Sequence, residues 1–365
     1  MQREFMKTVQ DRWEMGSEFH WDPSWLLTEK PGADLFPEDY VLFSSGRGAL
    51  NALSETVFKT SQRPTLHLPS FFCMETASSL SGAFNIKWYR DLPGEDSPEW
   101  NTLNPSENDL VLVLNLFGVK ERSGWEDFIN KCPGVVFIED HTHDPFSKWA
   151  LNATGDYAFS SLRKTLPVPD GALLWSPPAK ELPAAEEGPL QGAWYKLEAM
   201  ILKSAYLQGA TLKKDEFRRL QTEGEKLFEK QNGAASAFTK NILHSIRANE
   251  LRSRKKENIE LFIKELGKEK SSPVRPLFTD WPADAVPLGG VLLCEGQDVR
   301  DGLLAALIEN NVYPAVHWRQ GPSEFNSGDE AALDLSRRLL TVPLDFRYGR
   351  EDVEGTIEII KQYCY

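Results

Sequence analysis

Lys164 stands just past an apolar run, three residues after Ser161, in the stretch GDYAFSSLRKTLPVPDGALL, residues 155–174. Upstream, a second apolar run ends on the acidic pair Glu139 and Asp140. A lysine amine is a useful nucleophile only when neutral, and desolvation or a neighbouring cation such as Arg163 lowers its pKa until it can condense with an aldehyde. A buried carboxylate such as Asp140 can in turn keep a ring nitrogen protonated, since opposite charges ~4 Å apart attract by roughly 4 kcal/mol at an effective dielectric near 20. Ser160 and Ser161 offer hydroxyls and turn amides to a phosphate, and Arg163 adds positive charge. Amine, acid and anion site together fit pyridoxal phosphate, an aldehyde held as a Schiff base whose ring is an electron sink. A lone lysine at a strand end is ordinarily a surface residue. The spacing SxxK also serves serine acyl hydrolases, but those carry a KTG element, and the string here is Lys164, Thr165, Leu166.

Other segments could complete such a site. SSGRGAL, residues 44–50, follows an apolar run and opens a helical pattern, so its glycines and first-turn amides could receive one compact phosphate. An ordinary glycine-containing strand-to-helix turn reads the same way, and neither a GxGxxG nor a GK[ST] spacing is present. FIEDHTHD, residues 137–144, holds Glu139, Asp140, His141, His143 and Asp144. A metal site is one reading of that string, but alternation along a strand end sends Asp140 and His141 to opposite sides. LPSFFCMETA, residues 68–77, offers Phe71 and Phe72 as stacking surfaces or as core. YPAVHWRQG, residues 313–321, clusters His317, Trp318 and Arg319 as candidate substrate contacts.

These residues need elements to hold them. Short apolar runs at Tyr40–Phe43, Thr65–Leu68, Ile86–Tyr89, Leu110–Leu114, Val135–Ile138, Tyr157–Ser160 and Ala172–Trp175 predict seven strands of a mainly parallel sheet. Helices are predicted at Gly48–Lys59, Met74–Leu80 and Gly124–Lys131, so the loops at the strands' carboxyl ends should carry the ligand. Residues 176–192, rich in proline, glycine and glutamate, predict a mobile surface loop, and helical patterns fill Ala193–Leu266. A second β/α pattern follows: strands at Gly289–Cys294, Tyr313–Trp318 and Leu339–Pro343, helices at Val299–Asn310 and Asp352–Tyr363. The division expected is a large domain, 1–250, and a small C-terminal α/β domain, 251–365.

Composition bounds the function. Among 365 residues, 41 Lys and Arg face 54 Asp and Glu, a net charge of −13 that disfavours nucleic acid and anionic membranes as partners. Any phosphate site must be local. Cys73, Cys132, Cys294 and Cys364 have no metal-ligand spacing and read as reduced thiols, so no metal is expected. The start MQREFMKTVQDRWEM lacks a signal peptide's apolar core, and no run nears the ~20 apolar residues of a membrane span, so a cytoplasmic protein is expected.

In order and content, these segments resemble the DegT-type aminotransferases, pyridoxal phosphate enzymes of fold type I that commonly aminate nucleotide-linked keto sugars. SSGRGAL is similar to that family's SGTxAL, LPSFFCMETA to its PxxTFxAT, FIEDHTHD to its EDAAQ or EDAAH, and GDYAFSSLRKTLPVPDGALL to its GDxxxFSFxxxK with a following GEGG turn. VYPAVHW resembles its small-domain substrate segment. The resemblance implies Lys164 as the Schiff-base lysine, Asp140 as partner of the ring nitrogen, and His143 against the cofactor. It also implies phosphate contacts at Gly46, Arg47 and Ser161, a small-molecule amino donor and keto acceptor, and a homodimer with sites near the subunit interface. Four departures stand out: Arg47 for threonine, Cys73 for the stacking aromatic, PDGA for GEGG, and the N-terminal segment GSEFHWDPSWLL, which matches the family's poorly. An ordinary keto acid clamped by Arg319 or Arg347, or cofactor binding without turnover, are the rival readings.

Overall fold

A computed structural model describes residues 12–26, 35–57, 63–188, 190–228, 233–268, 271–320 and 325–364. Residues 1–11, read above for a leader, lie outside them, as do the last two residues of the predicted helix Gly48–Lys59 and Gly321 of the YPAVHWRQG segment. Seven strands form the main sheet: β1 (Val41–Phe43), β2 (Thr65–Pro69), β3 (Asn85–Tyr89), β4 (Leu110–Leu114), β5 (Val136–Asp140), β6 (Tyr157–Ser161) and β7 (Ala172–Trp175). Their order across the sheet is β1-β7-β6-β5-β4-β2-β3, with only β7 antiparallel to its neighbours. All seven predicted strands are present to within two residues.

The central strand shows why. LVLVL of β4 is buried along its whole length, with Leu110, Leu112 and Leu114 packing into one hydrophobic cluster and Val111 and Val113 into another. A continuous apolar run is what a strand covered on both faces requires, each buried aliphatic side chain contributing roughly 1.5–3 kcal/mol. Helices α1 (Gly46–Val57) and α2 (Met74–Leu80) supply the first cluster with Ala49, Leu50, Leu53 and Leu80, and α3 (Ser123–Lys131) supplies the second with Trp125.

Residues 176–188 have no regular structure, and two helices follow, α4 (Gln191–Leu207) packed along α5 (Lys214–Phe228). After a short helix, Ala237–Ile242, comes α6 (Ala248–Leu266), which belongs to two cores at once. Its first turns place Ala248 and Leu251 in one cluster with Leu162 and Leu166 of the turn after β6 and Trp175 of β7. Its last turns place Ile259, Phe262, Ile263 and Leu266 in the C-terminal core. That core is built on a three-stranded antiparallel sheet of β8 (Val274–Pro276), β9 (Gly290–Cys294) and β10 (Leu339–Val342), in the order β10-β9-β8, with α7 (Gln297–Glu309) and α9 (Arg350–Cys364), while α8 (Glu330–Arg338) places Ala332 in the main sheet's first cluster. The predicted strand Tyr313–Trp318 is mostly absent. Only Val312–Tyr313 is a strand, paired in parallel with Met15–Gly16 of the N-terminal segment, because Pro314 lacks the N–H that a ladder needs. No helix among the described residues is long and apolar enough to cross a membrane.

Candidate active site

The carboxyl ends of β1, β2, β4, β5 and β6 open into a cleft of about 600 Å³, closed from the far side by residues 313–318 and 341–347. Its size is that of a small-molecule site. Lys164 ends a 3-10 turn, Leu162–Lys164, directly after β6. The turn is fixed from behind: Leu162 is fully buried, its N–H donates to Gly171 O at 3.0 Å, and its own carbonyl accepts the N–H groups of Thr165 and Leu166 at 3.0 and 2.7 Å. Gly171 sits at φ +115°, which favours glycine, and Asp170 before it is locked by Ser236 N–H and Oγ, both at 2.7 Å. The PDGA sequence is thus a buried anchor for the lysine turn. Lys164 reaches into the cleft, where desolvation by the walls and then Arg163 beside it pull its pKa below the ordinary lysine value.

Asp140 ends β5 and lines the same cleft. Its Oδ1 accepts the Thr142 N–H at 2.8 Å, and among the described residues no cation forms an ion pair with it. Burial pushes its pKa up, opposed mainly by its hydrogen bonds with Thr142. A carboxylate buried in this way is stabilised by a cationic partner such as a protonated ring nitrogen. The strand alternation sends Glu139 the other way. Its Oε2 meets His141 Nε2 at 2.9 Å and its Oε1 accepts the Thr154 and Gly155 N–H groups at 2.8 and 2.6 Å, well away from His143. Ser160 likewise points from the cleft and bonds the His141 carbonyl at 3.4 Å.

His143 lies in the cleft wall with its ring stacked on Trp318, centroids 5.5 Å apart and planes 22° apart. Its Nδ1 accepts the N–H of Phe117 at 2.9 Å, so the neutral ring carries its proton on Nε2. Burial first, then His317, Lys164 and Lys255, hold its pKa well below the usual histidine range. Phe117 delivers that N–H from a left-handed conformation, φ +56°, which costs a non-glycine residue on the order of 1 kcal/mol and is retained where surrounding packing enforces it.

Positive charge gathers at another part of the cleft. Ser45 Oγ caps α1 by accepting Gly48 N–H at 3.1 Å, and Gly46 begins the helix with Phe159 so close that an added Cβ would stand 3.1 Å from the ring. Around this turn lie Arg47, Arg163 and Lys196, held by Glu225 of α5 at 3.3 Å, 2.7 Å and 3.1 Å respectively, with Glu18 2.6 Å from Lys196. Arg47, Arg163 and Lys196 thus gather around the helix start, where a phosphate would meet positive charge. Ser161 also borders the cleft, its N–H donated to Thr142 Oγ1 at 3.0 Å. The residues present therefore fit pyridoxal phosphate: an amine, a buried acid without a cation, and a cationic cup at a helix start. Arg47→Met is expected to weaken binding of the cofactor to the apo chain by roughly 10- to 100-fold, the loss of one charged hydrogen bond, as read by equilibrium dialysis. An unchanged dissociation constant would remove Arg47 from the cup.

The remaining candidates divide. Phe72, His317 and Trp318 line the cleft. His317 Nδ1 lies 3.0 Å from Thr341 Oγ1, and burial with Lys164 nearby lowers its pKa to about 3. Phe71 is fully buried in the core, against Phe117 and Trp318, and does not reach the cleft. Arg319 is exposed and off the cleft wall. Arg347 lines the cleft but has all five N–H donors engaged: Nε and Nη2 on Asp345 at 2.7 and 2.8 Å, the others on the carbonyls of Gly16, Ser17 and Glu18 at 3.2 to 3.4 Å. Lys203 donates to the same segment, to Ser17 Oγ at 2.8 Å and Glu18 O at 2.7 Å, so residues 17–19 form a lip on the cleft. Sequence reasoning missed this lip, Glu225, Lys196 and the Phe117 N–H, since no motif joins residues so far apart in the chain.

No family model and no curated protein matches this sequence. Solved structures do. An aminotransferase, TlmJ, from Streptoalloteichus hindustanus superposes with a TM-score of 0.64 at 16% identity, over 98% of this chain and 95% of that one. The chain has an aminotransferase fold. A DegT DnrJ EryC1 StrS aminotransferase from Brucella abortus gives 0.58 at 13% identity over 100% and 95% of the two chains. A candidate sugar aminotransferase from Streptococcus pneumoniae, in its PLP form, gives 0.62 at 12% identity over 100% and 96%. The aminotransferase fold here is the α/β, mainly parallel arrangement of PLP-dependent fold type I, as the ordered motifs predict.

Proposed function

We propose that this chain is a PLP-dependent aminotransferase that transfers an amino group from a small-molecule donor to a keto sugar, nucleotide-linked or similarly bulky. One observation carries the reading: Lys164, Asp140 and the cup of Gly46, Arg47, Arg163 and Ser161 come from separate strands and helices into one cleft. Pyridoxal phosphate supplies an aldehyde that captures amines and a ring that withdraws electrons from the substrate carbon. Asp140 holds the proton on the ring nitrogen. Lys164 Nζ, its pKa already depressed, would hold the cofactor's aldehyde and, once free, would serve as the acid and base that moves the proton at the donor Cα. His143, Phe72 and Trp318 wall the ring and exclude water, and His317 faces the incoming substrate beside Lys164. The same proposal includes action as a cytoplasmic homodimer and a division of the chain near residue 250.

Neither Arg319 nor Arg347 offers an ordinary keto acid a bidentate clamp. A strong bidentate clamp for a keto acid needs a guanidinium with unspent donors, and Arg347 has none while Arg319 stands outside the cleft. The test is an absorbance titration of the PLP-loaded protein with a panel of amino donors, followed by keto sugars and keto acids. Conversion of the cofactor to its amine form by an amino acid, with return by a keto sugar, is the expected result. Return by simple keto acids alone would overturn the sugar reading, and no conversion by any donor would leave a cofactor-binding protein without turnover.

A further inference from the structure

With both arginines excluded, the cleft still has to meet the carboxylate of whatever amino acid donates the nitrogen. The cations of the cup are engaged with Glu225 and Glu18. Among the described residues that line the cleft, one further buried cation stands apart from these. Lys255 lies midway along α6, between the turns that pack on the main sheet and those that pack in the C-terminal core, 9% exposed and bordering the cleft. Among the described residues its ammonium makes no hydrogen bond and no ion pair; it feels Asp144, Asp345 and Arg252 only through space.

Both of those carboxylates are already taken. Asp144 is bound by Arg252 at 3.1 and 2.8 Å and by the Val286 N–H at 2.8 Å. Asp345 is bound by Arg347 at 2.7 and 2.8 Å and by the Arg347 N–H at 3.1 Å. Arg252, Lys255 and Arg347 against Asp144 and Asp345 leave one positive charge over. His143 and His317, in the same wall, are held neutral by burial and cannot offset it or add to it. Burial also lowers the Lys255 pKa to about 8, so at neutral pH the ammonium is charged and incompletely solvated. An unpaired charge in a largely buried position is unfavourable, and an anion entering from the cleft would offset that. The cup already meets the phosphate, which leaves a carboxylate.

We propose that Lys255 receives a substrate carboxylate, that of the amino-acid donor, an inference that rests on the aminotransferase reading. The test pairs binding with kinetics in Lys255→Met, which keeps the unbranched apolar stem, and in Lys255→Gln as a second variant, each checked for a native melting transition. Calorimetry with glutarate, an unreactive dicarboxylate, reads the site in the PLP-loaded protein without turnover. Glutarate affinity is expected to fall roughly 10- to 100-fold in both variants, with partial recovery in Lys255→Arg. The Michaelis constant for the donor should rise in parallel, while amine exchange with the sugar product suffers less. Glutarate binding that is absent in the native chain, or equal in the variants, overturns the proposal. Equal damage to both half reactions overturns it as well, making Lys255 a structural link between the two cores. A larger loss with an acidic sugar than with the amino acid overturns the donor assignment and moves the carboxylate to the acceptor. If the native protein turns over no donor yet binds glutarate through Lys255, the aminotransferase reading fails and the carboxylate site stands.

Discussion

Lys164→Ala is expected to keep its fold and lose all covalent attachment of the cofactor. The turn that carries the lysine is held by Leu162, Gly171 and Asp170 rather than by the lysine side chain, which makes no hydrogen bond among the described residues. The Lys164 side chain is exposed to the cleft and makes none of the contacts that hold the turn, so the melting temperature should be unchanged. Borohydride reduction followed by peptide mass mapping should place the cofactor on the Lys164 peptide in the native protein and on no peptide in the variant. Turnover should fall by at least the 10²–10⁴-fold, roughly, that a positioned acid–base group supplies. Modification of another lysine in the native chain would sink the assignment, and Lys203 and Lys255 are two buried lysines whose pKa values are lowered to about 8.

Asp140→Asn is expected to fold and to bind cofactor while losing most of its activity. An asparagine Oδ1 can still accept the Thr142 N–H that Asp140 accepts at 2.8 Å, and the cup of Arg47, Arg163 and Ser161 is untouched. What is lost is the negative charge opposite the ring nitrogen. Removing one preorganised electrostatic partner of a reacting centre costs on the order of 10²–10³ in rate. Stopped-flow measurement of the donor half reaction separates the cases: a rate within a few-fold of native, with cofactor affinity intact, would make Asp140 a structural carboxylate only.

The fold was legible because its strands advertise themselves. LVLVL, VFIED and YAFSS are short apolar or nearly apolar runs, and only a strand covered on both faces uses such runs, so their positions came out to within two residues. The C-terminal part was less legible. Val274–Pro276 is three residues long, α8 is short, and Pro314 cuts the predicted strand Tyr313–Trp318 to two residues. Phe71 and Phe72 show the limit of residue-type reasoning. Adjacent aromatics after a strand point to opposite sides, and only Phe72 borders the cleft.

By itself, the sequence determined the parts whose chemistry is local: a lysine in a turn after one strand, an acid at the end of another, a glycine turn at a helix start, and the alternation that separates Asp140 from Glu139. Each follows from neighbours within a few residues, through strand periodicity and turn chemistry. Tertiary structure decided everything that depends on charge meeting charge across the fold. Arg347 looks like a free clamp in the sequence, and in three dimensions its five donors are spent on Asp345 and the N-terminal lip. Lys255 looks like one member of a basic run from Arg252 to Lys256, and in three dimensions it is the one buried between two cores, its nearest acids already bound to arginines. Whether a cation is available is set by which partners the fold brings within hydrogen-bond reach, and apart from Asp345, two residues from Arg347, those partners lie far away along the chain.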